Sequence, residues 1–226
     1  MATWYEHRGE GDSLVLLHPG MADARAFDPN IDAFADRFHV FTPERRGHGR
    51  TPDRDGPITY EGMARDTIEF TEAIVGGQAH VLGCSDGAIV ALITALLRPD
   101  LVGRLVLVAG VFHRDGWHPS AVSWPDGLDP DSFAGKMARM HGSEPNLSAS
   151  DLAGVKSRTL VMVGDDDEVS LEHAVEMYRA LPDGELAVVP GTSHGLLVEK
   201  PDLCNRVILD FLTTDPVPQM APIRRA

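Results

Sequence analysis

The sequence predicts an α/β fold, a mostly parallel sheet with helices on both faces. Three observations carry this prediction. Short continuous apolar runs alternate with helical segments, as strands buried on both sides of a parallel sheet require. One run, Val81-Leu82, passes through Gly83-Cys84-Ser85-Asp86-Gly87 directly into a long apolar segment, Ala88 to Leu97. The loops with unusual chemistry, His18-Pro19-Gly20, Cys84 to Asp86, Asp165 to Asp167 and His194, all follow the ends of such runs. Open α/β sheets form their sites at those carboxyl ends.

Taken in order, Trp4 to Arg8 reads as a short strand before the turn Gly9-Glu10-Gly11-Asp12. Ser13 to Leu17 (SLVLL) is a buried strand ending in His18-Pro19-Gly20-Met21. Asp28 to Arg37 is expected to be helical, with Asp28 as cap and Pro29 at the first position. His39 to Thr42 is a third strand, leading into the Gly- and Arg-rich loop Glu44-Arg45-Arg46-Gly47-His48-Gly49. Thr59 to Val75 is an amphipathic helix with Met63, Ile68, Phe70, Ile74 and Val75 at its apolar positions, stopped by Gly76-Gly77. Leu101 to Ala109 is another buried strand. From Gly110 to about Val155 the alternation dissolves, with one helix expected from Asp131 to His141. Order then returns as a strand (Thr159 to Val163), a helix (Leu171 to Leu181), a strand (Glu185 to Val189) and a helix (Asp202 to Leu212). We read one domain over residues 1–213, an insertion at about 111–155 between the strands near Val108 and Leu160, and a loose tail at 214–226.

The spacing Gly83-x-Ser85-x-Gly87 has a physical reason. Ser85 must sit at the apex of a sharp strand-to-helix turn, and side chains at its flanking glycines would collide. The apex lifts the Ser85 oxygen clear of the sheet and aims helix N–H groups at a developing negative charge. A serine used in this way needs a base, and the base an orienting acid. Downstream, an acid at a strand end comes first and a histidine at a strand end second.

Composition bounds the partners. The chain has 226 residues, 43% of them hydrophobic, which suits one α/β domain with a sizeable core. A formal net charge of -14 argues against nucleic acid and against an anionic membrane surface. The apolar segment after Ser85 is interrupted by Thr94 and ends at Arg98-Pro99, too short to span a bilayer. The first ten residues show no basic stretch followed by an apolar core, so a cytoplasmic protein is expected. Cys84 and Cys204 do not make a disulfide framework. Neither H-E-x-x-H nor C-x-x-C occurs, so no metal and no cofactor are expected. A homodimer is compatible with the sequence.

The order Ser…Asp…His and the stretches LVLLHPGMADARAF, ERRGHGRT, VLGCSDGA, TLVMVGDDDEVS and VPGTSHGLLVEKPD together resemble the α/β-hydrolase-fold serine hydrolases over nearly the whole chain. The resemblance implies that fold, with a short cap at the insertion. It makes Ser85 the nucleophile and His194 the general base. It selects Asp167 as the acid, three positions after the strand's terminal Gly164, and leaves Asp165 and Asp166 as a solvated turn or helix cap. For the oxyanion hole it implies the backbone N–H of Asp86 and one from the His18 loop. There Pro19 has no N–H, so Gly20 is the donor, with Met21 as runner-up. Glu44 to Gly49 resembles the family's Asp-x-Arg-Gly-x-Gly loop, whose role is architectural. The Asp86 carboxylate is either a helix-start acid or a substrate-binding counter-ion for a cationic acyl group. The resemblance further implies that many relatives have one strand before the position of Trp4.

The expected activity is cleavage of a carboxylic ester, lactone or thioester of a small-molecule acyl substrate, without cofactor. Two rivals stand beside it. One is a ligand-binding receptor with negligible turnover. The other is a non-hydrolytic catalyst, such as a cyclase, lyase or perhydrolase, using the same pocket.

Overall fold

The structure, a computed structural model, describes residues 3–119, 121 and 123–222. Its strands are β1 (Tyr5–Arg8), β2 (Ser13–Leu17), β3 (His39–Pro43), β4 (Ala79–Cys84), β5 (Val102–Val108), β6 (Arg158–Gly164) and β7 (Gly184–Val189). They form one sheet in the order β1-β3-β2-β4-β5-β6-β7. β1 is antiparallel to β3, and the other neighbours pair in parallel. The chain runs outward from β2 to β3, then returns past β2 to β4. The direction of winding therefore reverses between β2 and β4, and a crevice opens at their carboxyl ends. Pairing of Leu17 with Gly83 brings the end of β2 beside Ser85.

The helices are α1 (Ile31–Ala35), α2 (Tyr60–Phe70), α3 (Asp86–Leu97), α4 (Phe133–Ser143), α5 (Ala149–Leu152), α6 (Leu171–Ala180), α7 (Leu196–Glu199) and α8 (Pro201–Thr213). Alternation along the strands explains both layers. Val15, Leu17, Leu105 and Leu107 pack with Met63, Ile89, Leu92 and Met177, from α2, α3 and α6. Their neighbours Leu14, Leu16, Val106 and Val108 pack on the other face with Phe34, Ile208 and Phe211, from α1 and α8. Each such side chain contributes about 1.5–3 kcal/mol on burial. This is why the strands read as unbroken apolar runs. α3 is apolar on nearly all sides because it lies between the sheet and α2.

Several elements differ from the sequence expectation. The helix expected over Asp28 to Arg37 shrinks to the short α1; a separate 3-10 turn, Ala24–Phe27, precedes it, so Asp28 ends that turn rather than capping the helix and Pro29 lies before the helix start. Asn30 does not cap that helix with its side chain; its amide donates instead to the Leu197 carbonyl and to Asn205, at 3.0 and 2.9 Å. The helix from Tyr60 widens into a π turn at Thr71–Val75 before Gly76. A wider turn rotates the following side chains about the axis, and Ile74, expected on the apolar face, is 44% exposed. The short helices α5 and α7 are additions to the sequence expectation.

The start of the tail is tied down. Arg104 and Arg158 both donate to the carbonyls of Phe211 and Thr214, and Arg104 pairs with Asp215. Beyond it, Val217 and Met220 are exposed. Met1, Ala2 and residues 223–226, with the two terminal arginines, lie outside the described residues. Among the described residues no helix is long and apolar enough to cross a membrane.

Candidate active site

Ser85 stands between β4 and α3 with φ 54° and ψ −121°, a conformation L-residues avoid. The surroundings hold it there. Its N–H donates to the Val108 carbonyl at 2.8 Å, and its carbonyl accepts from Ala88 at 2.8 Å. A Cβ on Gly83 would lie 2.1 Å from the Gly87 carbonyl oxygen, and one on Gly87 would lie 2.0 Å from that of Leu17. Only glycine fits either position.

The Ser85 Oγ lies 2.9 Å from His194 Nε2, and His194 Nδ1 lies 2.8 Å from Asp167 Oδ1. Asp167 has no exposed side-chain surface. It also accepts from the N–H groups of Gly164 and Val169, at 3.0 and 3.1 Å. Three donors converge on this carboxylate, so it accepts from His194 Nδ1–H and leaves Nε2 free to accept from the serine hydroxyl. Burial alone would lower the pKa of His194. The Asp167 hydrogen bond and charge, with Glu168 and Asp86 behind them, outweigh burial and raise it above the ordinary 6.5.

The neighbouring aspartates do other work. The Asp165 carboxylate accepts from the Thr192 N–H at 3.0 Å, and the Asp166 N–H donates to the Thr192 carbonyl. Together they tie the β6 loop to the loop that carries His194. Neither caps α6, whose N-cap is Ser170.

Gly20, Met21 and Asp86, the residues expected to supply oxyanion donors, line one cavity with Ser85 and His194. Among the described residues the N–H groups of Gly20 and Asp86 have no acceptor. The cavity holds about 280 Å³ and is lined in part by Trp117, Trp124 and His141 from the segment between β5 and β6. A second cavity of about 460 Å³ borders on the same three residues.

The Asp86 carboxylate has partners that the sequence did not disclose. Tyr60 Oη donates to Oδ1 at 2.7 Å, and His141 Nε2 lies 2.9 Å from Oδ2 and 3.1 Å from Oδ1. Trp124 Nε1–H donates to His141 Nδ1 at 3.3 Å, which leaves the proton on Nε2 to face Asp86. His141 was legible only as the last residue of an expected helix, and Tyr60 as the second of another. Asp86 also explains Gly20, since a Cβ there would meet Asp86 Oδ2 at 2.2 Å. Burial by itself pushes the Asp86 carboxyl up. The His141 hydrogen bond, the Arg45 charge and the Tyr60 hydroxyl outweigh it and hold the carboxyl below its usual range.

Asp86→Asn therefore carries a stability prediction. An Asn amide would leave one oxygen for two donors, Tyr60 Oη–H and His141 Nε2–H, and would remove a buried counter-charge to Arg45, at a cost of about 3–5 kcal/mol at neutral pH. Because the folded pKa is depressed, this contribution is fully present above the unfolded value. It is lost as pH falls through the folded one. Denaturant unfolding of both proteins should show a gap at pH 7 that closes in acid.

Cys84, beside Ser85, is packed and inert; burial pushes its thiol up to about 12. Among the described residues no three His, Cys, Asp or Glu side chains cluster as metal ligands would.

A mostly parallel sheet with a strained serine at the carboxyl end of a central strand, and a histidine reaching it from the last strand, defines the hydrolase class of α/β proteins. The chain belongs to the alpha/beta hydrolase family, whose family model matches residues 14–207. Its relatives include (E)-2-((N-methylformamido)methylene)succinate hydrolase of Acinetobacter baylyi, 23% identical, with 94% of each chain covered. A Caulobacter segnis protein named as a carbamate hydrolase, RutD, is 36% identical over 89% of this chain and 92% of its own. In fold, the chain matches the crystal structure of an enol-lactonase from Burkholderia xenovorans LB400 with a TM-score of 0.81. That match has 20% identity and covers 93% of this chain and 96% of the other.

Proposed function

We propose that the protein is a cofactor-free serine hydrolase that cleaves a carboxylic ester, lactone or thioester through an acyl-enzyme on Ser85. The observation that carries this reading is the unbroken series Ser85 Oγ, His194 Nε2, His194 Nδ1, Asp167 Oδ1, with contacts of 2.9 and 2.8 Å. In the reading, Ser85 Oγ attacks the acyl carbon while His194 Nε2 takes its proton. Asp167 holds the imidazole in the Nδ1–H form and stabilises the imidazolium. The carbonyl oxygen becomes an oxyanion facing the N–H groups of Gly20 and Asp86, each donor worth about 2.7–4 kcal/mol. The C–O or C–S bond then breaks, and His194 returns the proton to the leaving alcohol or thiol. Water, activated by the same nitrogen, attacks the acyl carbon and releases the acid.

Segment 111–155 acts as a short cap. Through Trp117, Trp124 and His141 it bounds a cavity of about 280 Å³ around Ser85, which suits a short acyl group or a small lactone. The Asp86 carboxylate serves a cationic acyl group only by exchanging its bond to His141 for one to the substrate. Comparing Asp86→Asn on amino-acyl and neutral esters reads that role. A loss confined to the amino-acyl esters supports it, and equal losses remove it.

The direct test is treatment with a fluorophosphonate, followed by peptide mass spectrometry, alongside turnover of p-nitrophenyl acetate. The expected adduct is on Ser85. An adduct on Cys84, or none on the native protein, would overturn the mechanism.

The pH profile is a second check. The base must be neutral, so kcat/KM should rise with pH along one limb and then level. With its pKa raised by Asp167, His194 should set that limb above 6.5. In Asp167→Asn, the residual activity should show the limb moved to lower pH, because the group that raises the pKa is gone.

A further inference from the structure

Arg45 is a buried guanidinium held by backbone carbonyls, with Nη2 also 3.3 Å from His18 Nδ1, and not by a paired carboxylate. It is 5% exposed. Nη1 donates to the His18 carbonyl and Nη2 to the Pro19 carbonyl, the latter at 3.0 Å. The Arg45 N–H donates to His18 Nε2 at 3.1 Å, so His18 carries its proton on Nδ1, which donates to the same Pro19 carbonyl at 2.7 Å. The Pro19 carbonyl thus has both lone pairs occupied from one side. In the loop pattern Asp-x-Arg-Gly-x-Gly, Arg45 stands at the unspecified position.

A buried charge is expensive, and Arg45 Nε has no partner among the described residues. Arg45 does have a geometric consequence. Carbonyl and N–H lie on opposite edges of a trans peptide. With the Pro19 carbonyl turned toward Arg45 and His18, the Gly20 N–H of the same peptide unit faces the other way. Pro19, Gly20 and Ser85 line one cavity. The Arg45 charge also lies near Asp86, the other expected donor. Burial pulls the Arg45 pKa down to about 10, so the group stays charged at neutral pH.

We propose that Arg45 is a positioning residue of the oxyanion site: by holding the His18 and Pro19 carbonyls it turns the Gly20 N–H toward the oxygen that gains charge on attack by Ser85. This inference rests on the serine-hydrolase reading above.

The test compares wild type, Arg45→Met and Arg45→Lys. Labelled fluorophosphonate counts competent Ser85 sites, so that rates are expressed per functional site. The substrate is p-nitrophenyl acetate. The transition-state probe is a small aryl trifluoromethyl ketone, whose adduct with a serine bears an oxyanion. Arg45→Met should lower kcat per site by about 10–100-fold with KM within threefold, somewhat less than deleting a donor outright. Its ketone affinity should fall by the same factor, and Arg45→Lys should recover part of both. A merely structural role would lower the melting temperature and the number of labelled sites while leaving kcat per site and ketone affinity unchanged; that result overturns the proposal. Should Arg45→Met fail to fold, Arg45→Lys and the Gly20 amide of ¹⁵N-glycine-labelled protein decide. The Gly20 proton should move downfield on ketone binding in wild type, and less in Arg45→Lys. No shift in wild type, or equal shifts, rejects the role. If wild type itself forms no Ser85 adduct, the hydrolase reading fails first and the role of Arg45 falls with it. If wild type forms the adduct and the variants match it, only the role of Arg45 fails.

Discussion

Ser85→Ala is expected to abolish acyl-enzyme formation and to lower kcat by about a millionfold. Oγ is the nucleophile that the turn at Ser85 presents to the cavity, and no neighbouring hydroxyl or thiol stands in its place. Cys84 is one residue away but buried, with its thiol pushed up to about 12. A residual rate of about 10³–10⁴ over water should survive, because the N–H groups of Gly20 and Asp86 still stabilise the oxyanion. The fold should be unaffected, since the change removes one oxygen from a residue whose backbone bonds to Val108 and Ala88 remain. Active-site labelling, steady-state turnover and thermal melting on one preparation check all three points. Turnover within tenfold of wild type would end the nucleophile assignment.

Asp167→Asn is expected to lower kcat by about 10⁴-fold. The reason lies in the donors around the carboxylate. His194 Nδ1 and the Val169 N–H address Oδ1, and the Gly164 N–H addresses Oδ2. An amide has one oxygen and one NH₂ to offer them. With NH₂ toward His194, the imidazole must accept at Nδ1 and put its proton on Nε2, where it can no longer take one from Ser85. With NH₂ toward Gly164, a buried backbone donor loses its acceptor, and the imidazolium loses the negative charge beside it. Both arrangements cost the transition state. Asp165→Asn keeps an oxygen for the Thr192 N–H, and Asp166 contributes only its backbone N–H to the hydrogen bonds between the two loops. Both should stay within about tenfold of wild type, as surface substitutions that break no buried contact do. Kinetics of the three variants decides among the aspartates. A crippling Asp166→Asn would shift the acid by one residue.

The sheet, its helices and the candidate site differed in how far they could be read from the sequence. The strands were legible because residues buried on both faces must be apolar throughout, which leaves runs such as SLVLL and TLVMV. The turn at Ser85 was legible because half of its constraint is local: a Cβ on Gly83 would meet Gly87, four residues away, whereas the obstacle at Gly87 is the Leu17 carbonyl of a neighbouring strand. An acid and then a histidine at strand ends followed Ser85 in order, and it was the family resemblance that selected Asp167 and His194. Tertiary structure decided what depends on residues far apart in sequence. α1 starts late because the Asn30 side chain is bonded to Leu197 and Asn205, near the other end of the chain. Asp86 read as either a helix-start acid or a counter-ion, and only the fold brought Tyr60 and His141, from opposite sides of it in sequence, to its two oxygens. Arg45 read as one charge in a basic loop, and only the fold turned it onto the carbonyls of His18 and Pro19. Periodicity and turn sterics act within a few residues and leave a pattern there. A hydrogen bond between distant segments leaves no trace in either one, because each donor or acceptor is an ordinary polar residue until packing chooses its partner.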